Sequence, residues 1–426
     1  MKTRHIAKYY IMLLLVMMSW TSSTDAPPAI GRALFVVAVL LPGMGNRHGL
    51  FLAAMTCFWT LSTYGYANSF MPVMSEVYVA LVLVVIIFFK YKTHYTRFVR
   101  GGNYVVPLLL VLTCVRNLCE ESLADNLVYI LILVILMHYL LPIINKQTID
   151  YFQMSFMVIT IVLSSTFLYL SDNYTRPDEM GLIGWTDQNY FGMVIGMGAS
   201  IGFSNCFRFK ERPRSILIVS IAAISVAMTT MLLLASRGAL LCLIVSVALL
   251  LVLSKGNKRL KFFIVVCVVA FLYYLFANDY FDMLTKRFAE EDGTGSQRTV
   301  IWSNKWNAFI NRNSFLELLF GVGRQHGLAF GGTIRMPELG FHNDFLAFFI
   351  SYGVVGLSLF IALLMQPLRD IRRHSPYRVV IIANVAYLLV GCLTLEPFYF
   401  GYFPFYAFLM YTMLLTRVKK CNNRIR

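Results

Sequence analysis

Arg237 is the only charged residue between Ser215 and Ser254, in an apolar run that contains "TTMLLLASRGALLCLIV". An arginine at the centre of a membrane helix costs roughly 2.5–3.5 kcal/mol on insertion scales, so its position needs a reason. As one helix the run would be about 60 Å long at about 1.5 Å per residue, twice a hydrocarbon core of roughly 30 Å. It is therefore expected to be two helices, broken at Ser236-Arg237-Gly238 with the arginine at the turn. A guanidinium there either reaches lipid phosphate at the interface or binds an anion in a cavity. Other residues able to do chemistry are Arg298 in "GSQRTVIWSNKWNAFI", Arg324 in "GVGRQHG", His342 and Asp344 in "FHND", and Glu396 in "TLEPFYFGY". Arg176, Asp187 and Asn189 in "RPDEMGLIGWTDQN" join them. Arginine matches phosphate oxygens with paired hydrogen bonds, and histidine takes a proton near neutral pH.

The elements that must hold these residues are membrane helices. The chain has 426 residues, 58% hydrophobic and 14% charged, with a mean hydropathy of +0.67. That charge content is well below the roughly 25% of soluble domains. Apolar runs of about 20 residues recur, the length that crosses a bilayer, so the fold class is an all-α polytopic membrane protein. A β-barrel would show short alternating segments instead. About fourteen spans (12–14) are expected, at 9–23, 31–45, 49–64, 74–90, 103–118, 126–144, 151–170, 189–207, 215–235, 238–254, 262–279, 342–364, 379–394 and 402–416. The start, "MKTRHIAKYYIMLLLVMMSW", resembles a signal peptide with a poor cleavage pattern, and is read as an uncleaved first helix.

Sidedness follows from the cations. With both termini cytoplasmic, the inner segments 1–8, 46–48, 91–102, 145–150, 208–214, 255–261, 365–378 and 417–426 hold most of the 37 Lys and Arg. Outside the long loop at 280–341, only Arg32, Arg116, Arg176 and Arg237 fall on the outer side. This is the positive-inside pattern, and it accounts for the net charge of +16 without a nucleic-acid partner. The acidic residues run the other way, with only Asp150, Glu211 and Asp370 inside.

The 280–341 loop is inserted into a single membrane domain spanning 1–426. "GTGS" reads as a turn into a helix cap at Ser296. An amphipathic helix is expected from Gln297 to about Phe320, with Val300, Ile301, Trp306, Ile310, Leu316 and Leu319 on its apolar side. "GVGRQHG" and "FGG" read as flexible turns. The run Glu290-Glu291-Asp292 reads as a solvated face, and the eight cysteines as scattered free thiols, so neither a metal nor a cofactor is expected.

The candidate residues share the outer face, while the predicted midplane is nearly free of charge. That weighs against a transporter, whose ionisable residues sit at mid-depth, and leaves a lipid-linked oligosaccharide transporter as the lesser alternative. Group transfer on that face needs an activated donor carried in the membrane, because nucleotide-activated donors are cytoplasmic. A polyprenyl-pyrophosphate-linked sugar meets that need. Several arginines could neutralise its leaving group without a metal, and His342 could take the proton of an acceptor hydroxyl.

Four stretches in order, "LLLASRGALLCLIVSVALLL", "GSQRTVIWSNKWNAFI", "LFGVG" and "HNDFLAFFISYGVVGLSLF", resemble the O-antigen polymerase and O-antigen ligase superfamily over about residues 185–365. The resemblance implies a GT-C-like fold and a metal-independent glycosyltransferase at the periplasmic face of the bacterial inner membrane. It implies an undecaprenyl-pyrophosphate-linked glycan as substrate, with a flippase and a chain-length regulator as partners beside membrane lipid. Carried residue by residue, it gives Arg237 and Arg298 pyrophosphate binding and His342 acceptor activation. Arg324, Arg176, Asp187 and Glu396 are added as substrate-binding residues on sidedness alone. Between the two branches, the number of spans and the compact loop with "GVG" favour a polymerase.

Overall fold

A computed structural model describes residues 104–119, 146–171, 188–208, 211–234, 236–254, 298–312, 314–329, 340–371, 375–400 and 403–418, with a few single positions between 261 and 277. Among these residues the protein is all-α. The helices are α1 (Val105–Cys119), α2 (Lys146–Ser171), α3 (Gln188–Phe207), α4 (Arg214–Leu233), α5 (Arg237–Leu253), α6 (Arg298–Arg312), α7 (Phe315–Phe320), α8 (Arg324–Ala329), α9 (Asp344–Arg369), α10 (Arg378–Thr394) and α11 (Phe403–Arg417). The spans expected at 9–23, 31–45, 49–64, 74–90 and 126–144, and nearly all of 262–279, lie outside the described residues. Each remaining expected span coincides with a helix. Three helices, Asn189–Phe207, Arg214–Leu233 and Asp344–Arg369, are long and apolar enough to cross a membrane by length and composition.

Helix α3 is the buried centre, packed against α2, α4, α5 and α10. Its glycines allow the close approach that membrane helices use when the hydrophobic effect cannot drive them together. The Tyr387 hydroxyl of α10 lies over Gly196, 2.4 Å from where a Cβ would stand, and donates to the Met193 carbonyl at 2.6 Å. Ala239 and Ser236, at the start of α5, lie 2.9 and 3.1 Å from where a Cβ on Gly192 would stand.

The two ends of the bundle carry different chemistry. Before α4, Arg212 pairs with Asp150 of α2, and the Arg208 guanidinium stands 4.1 Å over the Tyr377 ring. These residues belong to the segments expected inside. Beyond the other end of α4 lies Arg237, and the loop helices gather there.

Helix α9 is broken in its middle. Gly353 has φ 69° and ψ −168°, outside helical space. The break frees the carbonyls of Ile350 and Ser351, which accept the Val322 N–H at 3.0 Å and the Gly323 N–H at 2.9 Å. Arg116 of α1 donates to the Gly321 carbonyl at 2.6 Å. Non-helical backbone at membrane depth persists only where protein satisfies its polar groups, and the loop meets that condition here. The fit admits no side chain on either strand: a Cβ on Gly321 would stand 2.2 Å from the Ser351 carbonyl, and one on Gly353 2.2 Å from that of Leu319.

Two readings of the loop are corrected. "GVG" is not a flexible turn but a segment bonded into α9, and the residues after it form α8. The helix expected to run to about Phe320 ends at Arg312, and Ser314 starts α7. There the Ser314 hydroxyl accepts from the Glu317 N–H while the Glu317 carboxylate accepts from the Ser314 N–H at 2.7 Å. This capping box satisfies two helix-end donors at once and fixes the break.

Candidate functional site

The site is assembled around the last turn of α10 and the residues after it, Thr394-Leu395-Glu396. The end of a helix leaves carbonyls without intrahelical donors, and one of them receives an arginine: Arg298 Nη1 donates to the Thr394 carbonyl at 2.9 Å. From another side the start of α5 presses on the same residue, with a Cβ position on Gly238 only 3.3 Å from Thr394 Oγ1. Ser236, the N-cap of α5, donates to Asn189 Oδ1 at 3.1 Å and ties this turn to α3. Arg237 and Arg298 therefore belong to two helices that meet at one residue. Each opens its helix. A cation at a helix N-terminus opposes the macrodipole, so a bound anion would relieve both the arginines and the N–H groups behind them.

Helix α6 presents one face to the body. Arg298, Trp302, Lys305 and Phe309 follow each other by four, three and four residues, which places them on one side of a helix. Trp302 Nε1 donates to the Phe341 carbonyl at 2.7 Å. Lys305 is fully buried; its ammonium donates to the Leu328 carbonyl at 2.9 Å and lies 4.3 Å over the Phe341 ring. Burial lowers the Lys305 pKa to about 8, against the opposing pull of Glu396. The Phe309 ring meets Phe349 edge-on at 5.3 Å. Val300, Trp306, Ile310 and Leu316, read as the apolar side, are exposed, so the side of α6 that meets the body is the one carrying Lys305 and Phe309.

The turn at 341–344 joins the loop to α9. Asn343 caps that helix, its Oδ1 accepting from the Leu346 N–H at 3.1 Å. The Asp344 carboxylate, completely buried, accepts from the N–H groups of Phe398 at 3.2 Å and Tyr399 at 2.8 Å. In return the Asp344 N–H donates to the Leu395 carbonyl at 3.1 Å. His342 is left with φ 49°, the one non-glycine residue in left-handed space among the described residues. Such backbone is uncommon outside glycine and persists when its surroundings over-determine it.

Glu396 supplies those surroundings. It is 1% exposed. Burial raises its pKa to about 7, while the backbone amides of His342, Asn343 and Phe341 and the Lys305 ammonium favour the carboxylate. Gly340 passes so close that a Cβ on it would stand 2.3 Å from Glu396 Oε1. The other oxygen, Oε2, is buried without a hydrogen-bond partner.

Arg324 approaches from the opposite side of the same segment, its guanidinium 5.3 Å from the Tyr399 ring centre and 5.7 Å from that of Phe400. Its carbonyl accepts from the Tyr399 hydroxyl at 3.0 Å, and that hydroxyl lies 2.8 Å from Ser351 Oγ beside the break in α9.

Arg298, Arg324 and the His342 turn thus meet residues 394–400, which include Glu396, and Arg237 stands next to Gly238, which meets Thr394. Arg176 and Asp187 lie outside the described residues. Thr394, Trp302 and Lys305 were not anticipated. The spacing of Trp302 and Lys305 behind Arg298 was the available signal. Lys305 is the cation that faces the buried Glu396 carboxylate.

Residues 221–361, a third of the chain, match the family model described as O-antigen ligase. The match includes Arg237, Arg298, Arg324 and His342, and ends before Glu396. No curated protein matches the chain. Over that stretch the chain is similar to the O-antigen ligase family.

Proposed function

We propose that this protein polymerises polyprenyl-pyrophosphate-linked oligosaccharide repeat units at the outer face of the bacterial inner membrane. The observation that carries this reading is the meeting of the helices opened by Arg237 and Arg298 at Thr394, beside the turn bearing His342. In the reaction, the bond from the donor sugar's anomeric carbon to pyrophosphate breaks and a bond from that carbon to an acceptor hydroxyl forms. The polyprenyl pyrophosphate leaves with the electron pair, and Arg237 and Arg298 stabilise its growing charge. His342 takes the acceptor's proton. Arg324 lies further along the same segment and would contact the glycan or the second phosphate. Arg176 and Asp187 complete the outer-face set proposed to meet substrate. Charge stabilisation by guanidinium groups leaves no role for a metal in this scheme, and a flippase and a chain-length regulator would work beside the enzyme.

The test uses purified protein in liposomes with undecaprenyl-pyrophosphate-linked repeats on the outer side. Formation of longer lipid-linked glycans without translocation is expected. Translocation without new glycosidic bonds would overturn the reading. The description of the matched family favours a second reading, transfer of a finished glycan to a lipid A core. Lipid A core added to the same liposomes separates the two: a ligase consumes it, and a polymerase does not.

A further inference from the structure

We propose that Glu396 is a positioning residue for the transfer, its carboxylate seated among the backbone amides of Phe341, His342 and Asn343 so that it holds the left-handed turn which places His342. This rests on the role given to His342 above. Residue 342 breaks the regular alternation of the chain, and successive amides around such a residue point toward a common centre, a concavity that binds anions. Here the occupant comes from the segment after α10, more than fifty positions away in sequence, and its approach is so close that a Cβ at position 340 would stand 2.3 Å from its Oε1.

The groups that face Glu396 come from every neighbouring element. Lys305 of α6 offers its ammonium. Tyr190 of α3 accepts the Glu396 N–H at 3.4 Å. Asp344 of α9 adds a second carboxyl nearby, and His342 contributes its amide. Against one ammonium and three amides stands burial, which raises the pKa of Glu396 to about 7 from 4.5. Protonation removes the negative charge from the turn, and His342 loses the constraint on its backbone. Transfer is therefore switched down as the outer compartment acidifies, by a group that touches neither donor nor acceptor.

The experiment compares the full-length protein with Glu396→Gln and Glu396→Asp in the liposome assay, across pH 5 to 9. If both the Glu396 carboxylate and a neutral imidazole are needed, log kcat falls with a limiting acid slope of two. In Glu396→Gln the slope drops to one, kcat falls about 30-fold or more at pH 8, and KM for the lipid-linked donor changes less than threefold. Glu396→Asp keeps the slope of two with an intermediate kcat. In parallel, hydrogen–deuterium exchange at the amides of residues 341–343 is expected to accelerate at least tenfold in Glu396→Gln, and to accelerate in the wild type below pH 6. An unchanged slope in Glu396→Gln with wild-type kcat overturns the proposal, and so does unchanged exchange at those amides. A wild type that makes no polymer but shows the exchange response overturns the proposed activity and leaves the positioning of the turn intact.

Discussion

Replacing Gly353 by alanine should uncouple the loop from α9. The residue's φ of 69° and ψ of −168° lie in a region open almost only to glycine, at a cost of about 1–3 kcal/mol for any other residue. The added methyl would also stand 2.2 Å from the Leu319 carbonyl. The chain has two ways out. It keeps the dock and accepts strain in a packed region, about 1–3 kcal/mol more, or it withdraws the loop and leaves the Ile350 and Ser351 carbonyls without donors, at about 1–3 kcal/mol each. Either path totals about 2–6 kcal/mol. Alanine at Gly391 of α10 is the control, since its methyl would meet its nearest atoms at 3.7–3.9 Å, ordinary contact distances. Thermal unfolding in detergent should show a fall on the order of 10 °C for Gly353→Ala and little change for Gly391→Ala. Hydrogen exchange at Val322 and Gly323 should accelerate selectively in the first variant. A Gly353→Ala protein with the wild-type midpoint and wild-type protection at both amides would refute the account of the dock.

Three further outcomes are expected. Arg237→Lys keeps the charge but loses the planar fork that matches phosphate, so polymer yield should fall at least tenfold on a gel of lipid-linked glycans while membrane insertion stays normal. Asp344→Asn turns an acceptor for two backbone amides, those of Phe398 and Tyr399, into a group that also presents N–H to them; unfolding in detergent should show a loss of about 1–3 kcal/mol. For Glu396 the sign follows from a folded pKa raised to about 7 from 4.5: the favourable contribution of the buried acid is full below about pH 4.5 and is lost as pH rises through 7. Glu396→Gln lacks that loss, so its stability relative to the wild type should grow by about 3 kcal/mol between pH 4.5 and 7 and then level off, even as its activity falls.

The parts of the fold legible in the sequence were those set by length. A forty-residue apolar run cannot be one span, so the break at Ser236-Arg237-Gly238 followed, and α4 and α5 end and begin beside it. The break in α9 was not legible, because a glycine inside an apolar run looks the same whether the helix continues or unwinds. The stop at Ser314 was written as serine followed by glutamate three residues on, and was lost under the apolar pattern on either side. In helix α6 the apolar pattern marked one side and left the other unread. Between a protein body and apolar surroundings, both sides of a helix carry apolar residues, and the inward side is marked instead by buried Lys305 and by Trp302, each bonded to a carbonyl. For the site, residue types pointed to Arg237, Arg298 and His342, but the role of Thr394 rests on a carbonyl, which every residue has and no sequence pattern displays.

The unwound turn of α9 also bears on how the chain is built. Two bare carbonyls are costly in hydrocarbon, so α9 is a poor passenger for the insertion machinery unless its partner is already waiting on the far side. Val322 and Gly323 precede α9 in synthesis, so with the loop on the outer face, as proposed above, those donors are in place when α9 arrives. A chain lacking Val322 and Gly323 would deliver α9 without them, and the bilayer itself would then act as the quality check that rejects it.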